Sequence, residues 1–133
     1  MQKLDAFTRQ YIVTALWSSN DESDDSGGDP LDKNYGIEDL SPECLATMVK
    51  DCAKFQADNW AWIGLADRRH GQDSARCGHD FWLTRNGHGC GFWDGDYSHD
   101  YGEGLIGKAL SKACEPYGET WLYVGDDGQI YTM

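Results

Sequence analysis

The chain has 133 residues, of which 40% are hydrophobic and 13% aromatic, and a formal net charge of −12. This is enough chain for one folded domain with a modest core, and too apolar for a disordered polymer. The acidity argues against direct binding to DNA, RNA or an anionic membrane, since those partners need a positive field.

No stretch of the sequence approaches the ~18 apolar residues that span a bilayer. The opening MQKLDAFTRQ lacks the charged and apolar regions of a signal peptide, so a cytoplasmic location is expected. The five cysteines (Cys44, Cys52, Cys77, Cys90, Cys114) are odd in number and irregular in spacing. They are expected to be reduced thiols acting as small apolar residues.

Along the chain, Leu4, Phe7, Tyr11, Ile12, Ala15 and Leu16 recur at helical spacing and predict a helix over 4–17. Residues 18–40 read as a long acidic surface loop, SSNDESDDSGGDPLDKNYGIEDL. From Asp21 to Asp39 it carries eight acids against one base, Lys33. Tyr35, Ile37 and Leu40 are suited to pin its second half to the body. Ser41-Pro42-Glu43 is a helix start, with a capping serine, a proline at the first helical position and an acid at the positive helix end. Leu45, Met48, Val49, Cys52 and Phe55 continue that helix, which can run on through Trp60, Ile63 and Leu65. ADRRHGQDSARCG then reads as a loop.

The segment GHDFWLTRNGHGCGFWDGD, beginning at Gly78, places Asn86-Gly87 between two aromatic pairs. Asn-Gly is a strong signal for a two-residue hairpin turn, because both central residues need positive φ. In that register Phe81, Leu83, Cys90 and Phe92 face the core, and Arg85, Asn86 and His88 stand exposed at the tip. WDGDYSHDYGEG (93–104) is a second acidic loop, with four acids and no base. Leu105, Ile106, Ala109, Leu110, Ala113 and Tyr117 mark a third helix, ended by Gly118. TWLYV, an Asp126-Asp127-Gly128 turn and QIYTM form a closing hairpin. The expected architecture is a single α+β domain, 1–133. In it an antiparallel sheet of about four strands, from two β-hairpins, carries three packed helices.

Several constellations bear on chemistry. Cys77-x-His79 and His88-x-Cys90 offer zinc-type ligands, but the hairpin register puts the two pairs at opposite ends of the ribbon. Asp94-x-Asp96-x-Ser98 begins like a calcium loop, yet His99 and Leu105 occupy the positions that need glycine and glutamate. His88, with Arg85, Asn86, Asp94 and Asp96, contains acid–base groups without a nucleophile elbow or a phosphate-binding loop. The six tryptophans and seven tyrosines suit a binding surface, because a small core cannot bury Trp60, Trp62, Trp82 and Trp93 completely.

Three stretches, TALWSSNDESDDSGGDPLDKNYGIEDL, GHDFWLTRNGHGCGFWDGD and YGETWLYVGDDGQIY, resemble a family of small proteins encoded by bacteriophages, prophages and related mobile elements. Together they cover well over half of the chain. Cys90 departs from the small residue expected at its position. The resemblance implies a cytoplasmic accessory protein of a virus or mobile element, and it transfers no catalytic residue. The expected function is binding to a host or viral protein with a basic surface, as an acidic nucleic-acid-mimicking inhibitor of a restriction or CRISPR defence. Asp21, Glu22, Asp24, Asp25, Asp29, Asp94, Asp96 and Asp100, with Arg85, Asn86 and His88, are the expected contact residues. No cofactor is expected. The alternatives are a small metal-binding protein or enzyme centred on His88, and a structural or regulatory virion component.

Overall fold

The computed structural model describes residues 3–20, 28–87, 92 and 105–132. In chain order they form α1 (Ala6–Ser18), α2 (Pro42–His70), α3 (Ser74–Arg85), α4 (Leu105–Cys114), β1 (Leu122–Val124) and β2 (Ile130–Thr132). The protein is mostly helical, with one two-stranded antiparallel sheet among the described residues. This overturns the expected four-stranded sheet carrying three helices.

α1 and α2 start where local chemistry places them. The Asp5 side chain accepts the Thr8 N–H at 2.8 Å, and Ser41 Oγ accepts the Cys44 N–H at 3.0 Å. Each cap satisfies a backbone donor that has no partner within its helix. α2 takes in the first part of the segment read as a loop, to His70, and α3 takes in the last part, from Ser74; Gly71, whose φ is +70°, ends α2 between them. Its helical geometry breaks once, at Asn59, whose side-chain Nδ2 donates to the Phe55 carbonyl at 2.9 Å.

The largest correction falls on the predicted central hairpin. Its first strand is the helix α3, capped by Asp73 on the Arg76 N–H at 2.9 Å. Asn86-Gly87 ends that helix. Asn86 keeps a negative φ, and only Gly87 is left-handed, at φ +75°. The same dipeptide that makes a hairpin turn also supplies a left-handed residue after a helix. α3 is buried almost all round from Asp80 to Arg85. A continuous apolar run therefore replaces the one-sided stripe of a surface helix. The predicted return strand, apart from Phe92, lies outside the described residues.

α1 and α3 share the broadest contact in the fold. The core between them and α2 is aromatic. Phe55 stacks on Phe81 at 4.1 Å between ring centroids, and Tyr11 meets Trp82 edge-on at 5.4 Å. α4 adds Ile106, Leu110 and Cys114 to the same buried cluster. The closing hairpin forms in the predicted place, with Leu122 opposite Thr132 and Val124 opposite Ile130. Its Asp126-Asp127-Gly128 loop is closed by bonds from the Gly128 N–H to the Gly125 carbonyl (3.0 Å) and from the Gly125 N–H to the Gln129 carbonyl (2.8 Å). Of the segment read as an acidic loop, Ser18 ends α1, and residues 28–40 are anchored by Leu31, fully buried, and by Leu40, with Tyr35 and Ile37 packed on the core; short 3-10 turns form at Leu31–Lys33 and Ile37–Asp39.

Candidate functional site

Of the three residues expected at an exposed hairpin tip, Arg85 is instead a buried organiser. Its guanidinium donates to the Tyr11 hydroxyl (3.0 Å), to Asp51 Oδ2 (3.0 Å), and to the Gly118 (2.9 Å) and Tyr117 (2.8 Å) carbonyls. It thereby ties α3 to α1, to α2 and to the turn after α4. Burial works against its charge, but Tyr11 and Asp51 outweigh that effect and hold its pKa above the ordinary value. Burial pushes the Tyr11 phenol up. Asn86 is half-buried and structural. Its Nδ2 donates to the Trp82 carbonyl at 2.9 Å, and its Oδ1 accepts the Thr120 N–H at 2.8 Å. His88 lies outside the described residues.

The expected acidic contacts divide in the same way. Asp29 is exposed and paired with Lys33 at 3.3 Å. Asp21, Glu22, Asp24, Asp25, Asp94, Asp96 and Asp100 lie outside the described residues. The runs 21–27 and 88–104 hold eight of the 23 acids and none of the 11 lysines and arginines.

A groove of about 320 Å³ includes Asn20 and Asn86, which stand close ahead of these two runs in the sequence. Ser18, Ser19 and Asn20 line it from the end of α1, Trp82 and Asn86 from α3, and Glu119 to Leu122 from the approach to β1. Trp82 Nε1 donates to Ser18 Oγ at 2.8 Å, which locks the ends of α1 and α3 together beside it. Trp121, in the groove wall, and Tyr123, beyond it, are 51% and 42% exposed. Tyr123 stacks on Tyr131 across the hairpin at 5.7 Å. Comparison with protein-family models, with curated proteins and with solved structures finds no match. The chemistry of the site therefore rests on its own residues. An aromatic strip bordered by Glu119, Asp126 and Asp127 can lay rings against cations and apolar stems while its carboxylates attract positive charge.

A second groove, of about 490 Å³, lies between α2 and the turn after α4. It is lined by Asp51, Lys54, Asp58, Asn59, Ala113, Pro116 and Tyr117, with Lys54 and Asp58 paired at 2.7 Å. Asp51 is already engaged by Arg85. Trp60, directly after the break in α2, is 75% exposed.

Of the zinc-type pairs, His88 and Cys90 lie outside the described residues. Cys77 is buried, with its Sγ on the Gln72 carbonyl, while His79 Nδ1 lies 2.9 Å from the buried Asp80 carboxylate. No group of three or more His, Cys, Asp or Glu residues able to hold a metal occurs among the described residues. Burial raises the thiol of Cys44 to about 11 and pushes Cys52 and Cys114 higher still. Among the described residues, no helix is long and apolar enough to cross a membrane.

The aromatic strip on the hairpin was missed in the sequence, although the alternation in Trp121-Leu122-Tyr123-Val124 carries it. Period two puts Trp121 and Tyr123 on the face opposite the core-facing Leu122.

Proposed function

We propose that the protein is a cytoplasmic accessory factor of a bacteriophage or mobile element that works by binding a basic protein surface. In its sharpest form it occupies the nucleic-acid groove of a host defence enzyme, with carboxylates in place of phosphates. The observation that carries this reading is that two runs rich in acid and free of lysine and arginine follow described residues of one groove in the sequence. Asn20, after which the acidic run 21–27 begins, and Asn86, just ahead of the run 88–104, line the same cleft. Acid concentrated in this way favours fast encounter with a positive groove and repels nucleic acid itself. The exposed Trp121 and Tyr123 nearby supply the kind of aromatic anchor that dominates protein interfaces.

The test is capture from host lysate at two salt concentrations, by the natural chain and by a variant. In the variant Asp21, Glu22, Asp24, Asp25, Asp94, Asp96 and Asp100 become Asn or Gln. The natural chain should retain basic nucleic-acid-handling proteins, and the variant should lose them. Capture of the same proteins by both would overturn the reading.

A further inference from the structure

Among the described residues, the small sheet has one covered edge and one open edge. The bond from the Gly125 N–H to the Gln129 carbonyl makes Tyr123 and Tyr131 the next hydrogen-bonded pair, because such pairs alternate along an antiparallel ladder. Ile130 and Thr132 therefore turn their backbone groups away from β1. There the Ile130 carbonyl accepts the Ser41 N–H at 2.9 Å, so the outer edge of β2 is covered by Leu40 and Ser41. By the same alternation Leu122 and Val124 turn their N–H and C=O groups away from β2. Among the described residues no strand pairs with β1 on that side. Leu122 lines the groove beside Ser18–Asn20 and Asn86.

We propose that the open edge of β1 takes up an extended, basic segment of the partner as a third strand, with arginine side chains laid over Trp121 and Tyr123. Two features select this occupant. Unpaired edge groups bind any extended backbone, whatever its side chains. The choice of side chains then comes from charge. Glu119 lines the groove, Asp126 and Asp127 lie at the hairpin tip, and no lysine or arginine is among the lining residues. The exposed rings of Trp121 and Tyr123 share the face opposite the buried Leu122, so alternate residues of an added strand would pass over them. An arginine there gains both ring and carboxylate contacts. This inference rests on the partner-binding reading and adds to it the conformation and chemistry of what is bound.

The experiment uses the full chain and a peptide of about ten residues alternating arginine and valine, long enough to cover the edge. Two further versions carry N-methyl groups on alternate residues, at odd positions in one and at even positions in the other. All three keep the same charge. With arginines held over the rings, only one set of N–H groups faces β1. One methylated peptide should bind like the parent and the other at least about tenfold more weakly. Trp121→Ala should weaken the parent peptide about tenfold, as expected for loss of a cation–aromatic contact. Equal binding of both methylated peptides, or an unchanged affinity of Trp121→Ala, would overturn the edge assignment while leaving the acidic attraction standing. A dimer formed through β1 that the peptide does not displace would assign the edge to a second copy and also overturn the proposal. Failure of every peptide to bind at low salt would overturn the partner-binding reading as well.

Discussion

Gly78 on α3 lies so close to Phe7 on α1 that a Cβ built on it would stand 2.1 Å from the Phe7 carbonyl oxygen. Backbone cannot move aside as a flexible side chain can, so the absence of a side chain here sets the distance between the two helices with the broadest contact. Gly78→Ala should cost at least about 1–3 kcal/mol, the range for overpacking a tight core. Gly64, inside α2, has its nearest such atom at 3.6 Å, at the mobile end of Arg68. Gly64→Ala should stabilise by about 0.5–1 kcal/mol through helix propensity. Urea unfolding of the two variants checks the opposite signs.

Removing Arg85 should be among the most damaging changes in the chain. Arg85→Ala leaves the Tyr11 hydroxyl, Asp51 and two carbonyls without their donor, a loss of about 3–5 kcal/mol for breaking a buried charged network. Arg85→Lys should rescue little of this, because one ammonium cannot reproduce four contacts in a planar fork. Asp51→Asn should cost less than Arg85→Ala, since the Asp51 side chain is 27% exposed and water can partly replace it. Equilibrium unfolding in urea gives the order directly.

The hairpin carries its own titration. The Tyr131 hydroxyl donates to Asp127, which lowers the carboxyl below its ordinary value and raises the phenol to about 12. Asp127 favours the folded hairpin above the unfolded carboxyl pKa, and that contribution disappears as pH falls through the lower folded value. For Tyr131 the contribution is full below the unfolded phenol pKa, near 10. It is lost as pH rises through about 12. Asp127→Asn should bring the Tyr131 phenol back towards its ordinary value, read from its ring carbon shifts in an NMR titration.

Thiol chemistry should be silent in the native protein at these positions. Burial raises Cys44, Cys52 and Cys114, so at pH 8 each is almost wholly the unreactive thiol. Alkylation followed by mass mapping should leave all three unmodified until denaturant is added.

The sequence spoke clearly where one local device decides the structure. Ser41 capping α2 and the Asp126-Asp127-Gly128 turn are each read from a few residues and found in place, while α4 stops at Cys114 and Gly118 closes the 3-10 turn Glu115–Tyr117 that follows it. It misled where a local signal serves two structures. Phe81-Trp82-Leu83 is a short apolar run that suits a buried strand or a buried helix equally, and Asn86-Gly87 ends the one as readily as it turns the other. What decides is tertiary: Gly78 against Phe7, and Arg85 reaching Tyr11 and Asp51 from distant parts of the chain. A lone arginine beside a turn signal reads as exposed. Its burial depends on four partners that become neighbours only once the chain has folded.

Competition tests the account most directly. Once a basic partner is captured, duplex DNA or RNA of the kind it handles is titrated into the complex and the chain that remains bound is measured. The nucleic acid should displace the protein, and it should do so at lower concentration when some of the acids of 21–27 and 88–104 are replaced by Asn or Gln. A stable complex of all three, with protein and nucleic acid held at once, would contradict the account.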